Sequence, residues 1–131
     1  MIHLQHIKRS VLEYGALQPI IGLLSSKCQD AQREAALLIG QFATVDHAFK
    51  ARIVQRGAVP PLVEMLKIDD RQLREMAAFA IGRVAQNEDN QAGIVQVFLF
   101  PSEMLHHHVF CMHFLARICH CLATNSTKYM L

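Results

Sequence analysis

Apolar residues in this chain fall at helical spacing in short bursts, and the bursts come in threes. Ile7, Val11 and Leu12 mark one face of a helix over 6–14, and Phe49, Ile53 and Val54 do the same over 47–56. Each burst ends at a glycine, Gly15 or Gly57, placed where a left-handed C-cap residue closes a helix. A second helix is predicted to start at once, with Pro19 or Pro60-Pro61 in a first turn where the missing N–H costs little, and to run to about Leu24 or Leu66–Ile68. Polar links follow, Ser25-Ser26-Lys27 and Asp69-Asp70. A third, longer helix is then predicted over roughly 30–44 and 71–86, with Asp70 as an N-cap.

The two sets of three are copies at a spacing of 42 residues. Gly15-Ala16-Leu17-Gln18-Pro19-Ile20-Ile21-Gly22-Leu23-Leu24 returns as Gly57-Ala58-Val59-Pro60-Pro61-Leu62-Val63-Glu64-Met65-Leu66. Ala35-Ala36-Leu37-Leu38-Ile39-Gly40-Gln41-Phe42-Ala43 returns as Ala77-Ala78-Phe79-Ala80-Ile81-Gly82-Arg83-Val84-Ala85. Laying residues 11–43 on 53–85 gives nine identities, all Gly, Pro, Ala, Leu or Ile. Such a period implies helical units that cannot bury their apolar faces alone and must stack, an architecture that usually binds macromolecules rather than catalyses. Gly40 and Gly82 interrupt the third helices at equivalent places, where glycine costs about 1 kcal/mol relative to alanine. With Ala35-Ala36 and Ala77-Ala78 beside them, they are expected to let neighbouring helices approach closely.

A third unit starts and then changes character. Ile94-Val95-Gln96 matches Ile53-Val54-Gln55 at an offset of 41, but Val97-Phe98-Leu99-Phe100 stands where a glycine corner is due. The expected organisation is a repeat region over 1–96 (a partial unit 1–14, a repeat 15–56, and a repeat 57–96 that includes the first helix of the next) and a divergent tail over 97–131. Residues 105–122 of that tail could form one helix, with Phe110, Phe114, Ile118 and Leu122 recurring every four, docked on the open end of the stack.

Composition narrows the class. With 52% hydrophobic and 18% charged residues, the chain can build a core and is not disordered by composition. A net charge of +2, spread along the chain, gives no argument for nucleic acid. The first residues lack a signal-peptide stretch, and no apolar run reaches membrane-spanning length; the most hydrophobic region, 104–116, is only 13 residues long and carries four histidines. Membrane association through 97–122 is the poorest of the readings. Four cysteines, three of them in the tail, form no disulfide framework, and a reducing compartment is expected.

The Gly-Ala-x-x-Pro corner and the run Glu34-Ala35-Ala36-Leu37-Leu38-Ile39-Gly40 resemble the armadillo repeat over residues 6–96. The wording of residues 15–26 and 53–59 is most similar to the plant armadillo–BTB proteins, in which an armadillo array precedes a BTB/POZ domain. The resemblance implies a right-handed α-α superhelix, an all-α armadillo-type solenoid of about two full three-helix repeats plus partial flanking helices. It also implies protein partners in the nucleus or cytoplasm, among transcription or replication regulators or ubiquitin-ligase components. It implies no enzyme activity and no cofactor. The chain departs from that family in having no BTB-like segment and only two full repeats, which suggests a fragment of a longer scaffold.

In such arrays the third helices line a groove, and residues four apart on one face point into it. Nuclear-import receptors of the class carry Trp and Asn in those slots. Here the slots hold Leu37 and Gln41, then Phe79 and Arg83, and the chain has no tryptophan, so import-receptor binding is not expected. The expected groove is mixed: Arg33, Glu34, Leu37 and Gln41 from one helix, Glu75, Met76, Phe79 and Arg83 from the other. Gln41 can bond an extended backbone, Phe79 offers an apolar face, and Arg83 can pair with a carboxylate, so the expected partner segment has acidic and apolar residues. The competing reading makes Leu37 and Phe79 core and Arg83 merely solvated. Gly15, Pro19, Gly40, Gly57, Pro61 and Gly82 are expected to be structural.

The tail invites a different function. His107, Cys111, His113, Cys119 and Cys121 are candidate zinc ligands, and a zinc-binding or nucleic-acid-associated fragment is the alternative. No CxxC pair is present, and Cys119-His120-Cys121 puts neighbours on different faces of a helix, so adventitious binding through His106-His107-His108 is the simpler expectation. Catalysis has no signature: no phosphate loop, no nucleophile elbow. Asp69-Asp70 and Glu88-Asp89 sit at helix boundaries, where acidic residues cap.

Overall fold

The computed structural model describes residues 2–99, and every regular element among them is a helix. In order these are α1 (Ile2–Glu13), α2 (Leu17–Leu23), α3 (Gln29–Phe42), α4 (His47–Gln55), α5 (Val59–Lys67), α6 (Arg71–Val84) and α7 (Glu88–Leu99). The helices fall into two triplets, α1–α3 and α4–α6, followed by α7. The repeat proposed for 57–96 continues in regular helix through Leu99, and the tail helix expected over 105–122 lies outside the described residues.

The two triplets turn their corners with the same hydrogen bonds. After α1 the Gly15 N–H donates to the Leu12 carbonyl (3.1 Å) and the Ala16 N–H to the Val11 carbonyl (3.4 Å). After α4 the Gly57 N–H donates to Val54 (2.9 Å) and the Ala58 N–H to Ile53 (3.3 Å). This is the Schellman closure, which consumes two carbonyls that the helix end would otherwise leave bare. It needs a left-handed residue at its centre, and Gly15 and Gly57 have φ values of 85° and 84°. Pro19 and Pro61 stand in the first turns of α2 and α5, where a ring nitrogen sacrifices no intrahelical bond.

Side-chain caps start α4, α6 and α7, whereas α3 opens at Cys28 without one. The Asp70 carboxylate accepts from the Leu73 N–H (2.9 Å) and opens α6 as expected, while Asp46 does the same for α4 through Phe49 (2.9 Å). Asp46 also accepts from Arg9 of α1 (2.9 Å), so one carboxylate caps a helix and ties the two triplets together. Asn87 plays a matching part before α7: its Oδ1 accepts from Asp89 N–H (3.1 Å), and its Nδ2 donates back to the His47 carbonyl of α4 (3.3 Å). Glu88 and Asp89 therefore fill the first turn of α7, where negative charge meets the positive helix end.

The core lies where α3 and α6 pack side by side, with α2 against α3, α5 against α6, and α7 against α4 and α5. Equivalent positions are buried alike: Ala35 with Ala77, Ile39 with Ile81, Leu24 with Leu66, Ile21 with Val63. The equivalence breaks on α1. Ile7 and Val11 are 45% and 38% exposed, whereas their counterparts Phe49 and Ile53 are 6% and 0% exposed. The helix α4 packs against α3, α6 and α7. No helix among the described residues is long and apolar enough to cross a membrane.

Candidate partner-binding surface

α3 and α6 lie against each other, and the candidate strip is the set of residues four apart on each helix. The strip contains the six residues proposed from the sequence. At one end, Arg33 of α3 donates to Asp30 on its own helix and to Gln72 Oε1 on α6, so its guanidinium bridges the two helices. Glu75 is exposed and pairs with Arg71 one turn earlier (2.8 Å). Neither charge is an unattached probe of solvent. Exposed pairs of this kind are worth about 0.2–1 kcal/mol each, so a ligand can displace them cheaply.

The middle of the strip is a ring packed on a glycine. Phe79 of α6 is half-buried and lies over Gly40 of α3, so closely that an added Cβ on Gly40 would sit 2.3 Å from the ring's Cε1. Gly40 thus admits a side chain from the next triplet, and the close approach expected from sequence has the Phe79 ring as its immediate cause. Leu37 is half-buried against the core, and Met76 is buried. Glu34 is exposed, and Gly82 is buried in α6.

At the far end stand Gln41 and Arg83. Arg83 is 8% exposed, with its guanidinium 5.5 Å from the centroid of the Phe79 ring, so the reading of Arg83 as merely solvated is wrong. The stacking on Phe79 is one contact of this buried charge. Gln41 is half-buried, and its carbonyl accepts from Thr44 Oγ1 (2.6 Å).

Two further residues converge on this end that the sequence reading did not single out. Lys8 of α1 reaches the Gln41 carbonyl (3.4 Å) and Thr44 Oγ1 (3.5 Å). Lys50 of α4 reaches Gln86 Oε1 (3.5 Å), and Lys50 and Gln86 are the counterparts, 42 residues on, of Lys8 and Thr44. Burial lowers the pKa of both ammonium groups, and for Lys50 the nearby Arg83 charge lowers it further while Asp46 opposes. The signal was present: carrying the alignment three residues upstream of 11 turns Lys8 and Lys50 into another identity.

The described residues hold no grouping of three His, Cys, Asp or Glu suited to a metal. The zinc candidates His107, Cys111, His113, Cys119 and Cys121 all lie outside the described residues. No protein-family model matches the chain, and no curated protein or solved structure matches it either.

Proposed function

We propose that this chain is a non-catalytic protein-binding module, a solenoid of the armadillo kind, which uses the α3–α6 strip to hold a partner segment carrying acidic and apolar residues. One observation supports this above the rest: the two triplets reproduce each other's glycine corners, with φ of 85° and 84° and the same pair of hydrogen bonds at a 42-residue offset. Units that repeat to this degree place equivalent side chains at a regular interval, and the strip they form is built for an extended ligand rather than a small substrate. Arg83 offers charge, Phe79 an apolar edge, and Gln41 an amide. The likeness to plant armadillo–BTB proteins extends the proposal to partners among transcription or replication regulators or ubiquitin-ligase components.

The test is selection of short random peptides, displayed on phage, against the full chain. Enriched sequences should combine acidic and apolar residues. A synthetic enriched peptide should bind about tenfold more weakly to Phe79→Ala and to Arg83→Ala, corresponding to about 1.4 kcal/mol, with folding checked by circular dichroism. Arg83→Gln serves if the alanine variant does not fold. Unchanged affinity in both variants would remove this surface from consideration.

A further inference from the structure

Six large apolar side chains stand exposed among the described residues, and four of them share one stripe of α1 and the residue that follows it. Leu4, Ile7, Val11 and Tyr14 are 43%, 45%, 38% and 92% exposed. Their spacing of three, four and three is that of a two-helix coiled-coil seam. Tyr14 lies one residue beyond the end of α1, but its N–H still bonds the Ser10 carbonyl (3.0 Å), so it carries the stripe one turn further. The two strong cations of α1 are drawn toward the body of the same chain: Lys8 reaches the Gln41 carbonyl (3.4 Å) and Arg9 the Asp46 carboxylate (2.9 Å).

Repeat stacking accounts for only half of this stripe. Ile7 and Val11 correspond, 42 residues on, to Phe49 and Ile53, which are 6% and 0% exposed, so apolar side chains are due at both positions. Leu4 and Tyr14 correspond to Asp46, the cap of α4, and to Arg56 at its end, so the repeat gives no reason for apolar residues there. With them the stripe is symmetric about position 9: Ile7 and Val11 lie two residues to either side, Leu4 and Tyr14 five. A seam of that kind fits a second copy of itself running the opposite way, Val11 of one copy on Ile7 of the other and Tyr14 on Leu4. Antiparallel pairing sets the large ring against a smaller side chain rather than against itself, and it aligns the two helix dipoles favourably.

We infer that α1 is the contact surface of a symmetric homodimer, in which the stripe of one copy packs antiparallel on the stripe of a second. The apolar surface on offer sets the strength. Four side chains from each copy, with their flanks, remove about 1,000 Å² from water in total, the low end of specific interfaces. The dimer is therefore reversible, with a Kd of about 1–100 μM. Because each copy contributes the same patch, the contact closes at two chains and does not propagate. It uses none of the six strip residues, so pairing and peptide binding are separable.

Sedimentation equilibrium of the full chain, from about 1 to 500 μM, tests this. Wild type should pass from the mass of one chain to that of two across the range. Ile7→Glu and Val11→Glu each put a carboxylate into the seam and should weaken pairing at least tenfold, with circular dichroism like that of wild type because both positions are exposed in the single chain. Tyr14→Ser, at the most exposed position of the four, serves if a glutamate variant does not fold, and should also weaken pairing about tenfold. Direction is read by disulfide trapping after the four native cysteines are changed to serine. Mixed Ile7→Cys and Val11→Cys chains should cross-link to each other in preference to themselves. The reverse preference would mean a parallel pair and would overturn the antiparallel seam. A wild type that keeps the mass of one chain, a dimer that persists in both glutamate variants, or an assembly larger than two would overturn the pairing altogether, the first leaving the stripe to a lipid surface or to residues 100–131.

Discussion

Replacing Gly40 by alanine sets two physical effects against each other, and their balance reports on the contact that joins the triplets. In an exposed helix interior the change would stabilise by about 1 kcal/mol, because alanine loses less backbone freedom than glycine. Here the new Cβ would fall 2.3 Å from Cε1 and 2.5 Å from Cδ1 of Phe79, well inside any tolerable carbon–carbon distance. The ring must therefore move by about 1 Å or more, and moving it disturbs Arg83, whose guanidinium sits 5.5 Å from the ring centre. Overpacking of this kind costs about 1–3 kcal/mol, and a disturbed cation–π contact adds about 0.5–1 kcal/mol. The net expectation for Gly40→Ala is a destabilisation of about 1–2 kcal/mol, or about 3–8 °C in Tm. In a Phe79→Ala background the obstacle is gone, and the same change should stabilise by up to about 1 kcal/mol. Urea denaturation of the four proteins, followed by circular dichroism at 222 nm, gives a coupling energy expected near 2–3 kcal/mol. Additivity within about 0.5 kcal/mol would refute the packing argument, since it would mean that the ring and the glycine do not meet.

Three other outcomes follow from the same structure. Gly15→Ala and Gly57→Ala should each cost about 1–2 kcal/mol, and by similar amounts, because both sit at positive φ, whereas Gly22→Ala in α2, with open space around it, should stabilise by up to about 1 kcal/mol in the same melts. Ile53→Ala should cost about 2–5 kcal/mol while its repeat counterpart Val11→Ala stays below about 1 kcal/mol, as chemical denaturation would register. Lys50 has a folded pKa below its ordinary 10.5, so between the two values the unfolded chain holds more protons. The fold should therefore gain stability as pH rises toward 10.5, with the penalty fully present below the folded value. Denaturation at a series of alkaline pH values should show this slope reduced in Lys50→Met.

Much of the helical order was legible because glycine and proline act locally. A residue that must adopt positive φ, followed by a proline that suits a first turn, marks a corner without knowledge of anything distant, and both corners fell at Gly15 and Gly57. Asp70 was readable for the same reason, since a cap bonds within its own turn. Contacts made across the repeat were harder to read. Nothing in the local sequence says that Gly40 makes room for a ring 39 residues away, or that the arginine after that ring lies over it. Lys8 and Lys50 were missed because a lysine on a helix is ordinarily a solvated residue, and apolar patterning gives it no weight. Only its recurrence at the repeat interval distinguishes it. The start of α1 at Ile2 was missed as well: the helix was expected over 6–14, although Leu4 continues the spacing of Ile7 and Val11 toward the start of α1.

The matching glycine bends also make this chain divisible. Since Tyr14–Gly15 and Arg56–Gly57 are the same joint in all but side chain, residues 15–56 form a cassette whose ends fit each other. A second cassette inserted after Arg56 would meet, at each splice, a bend it already knows how to make. On the proposed solenoid, the polypeptide would lengthen by whole units, as a ruler is extended by its own divisions, and a graft of any other length would fall out of step.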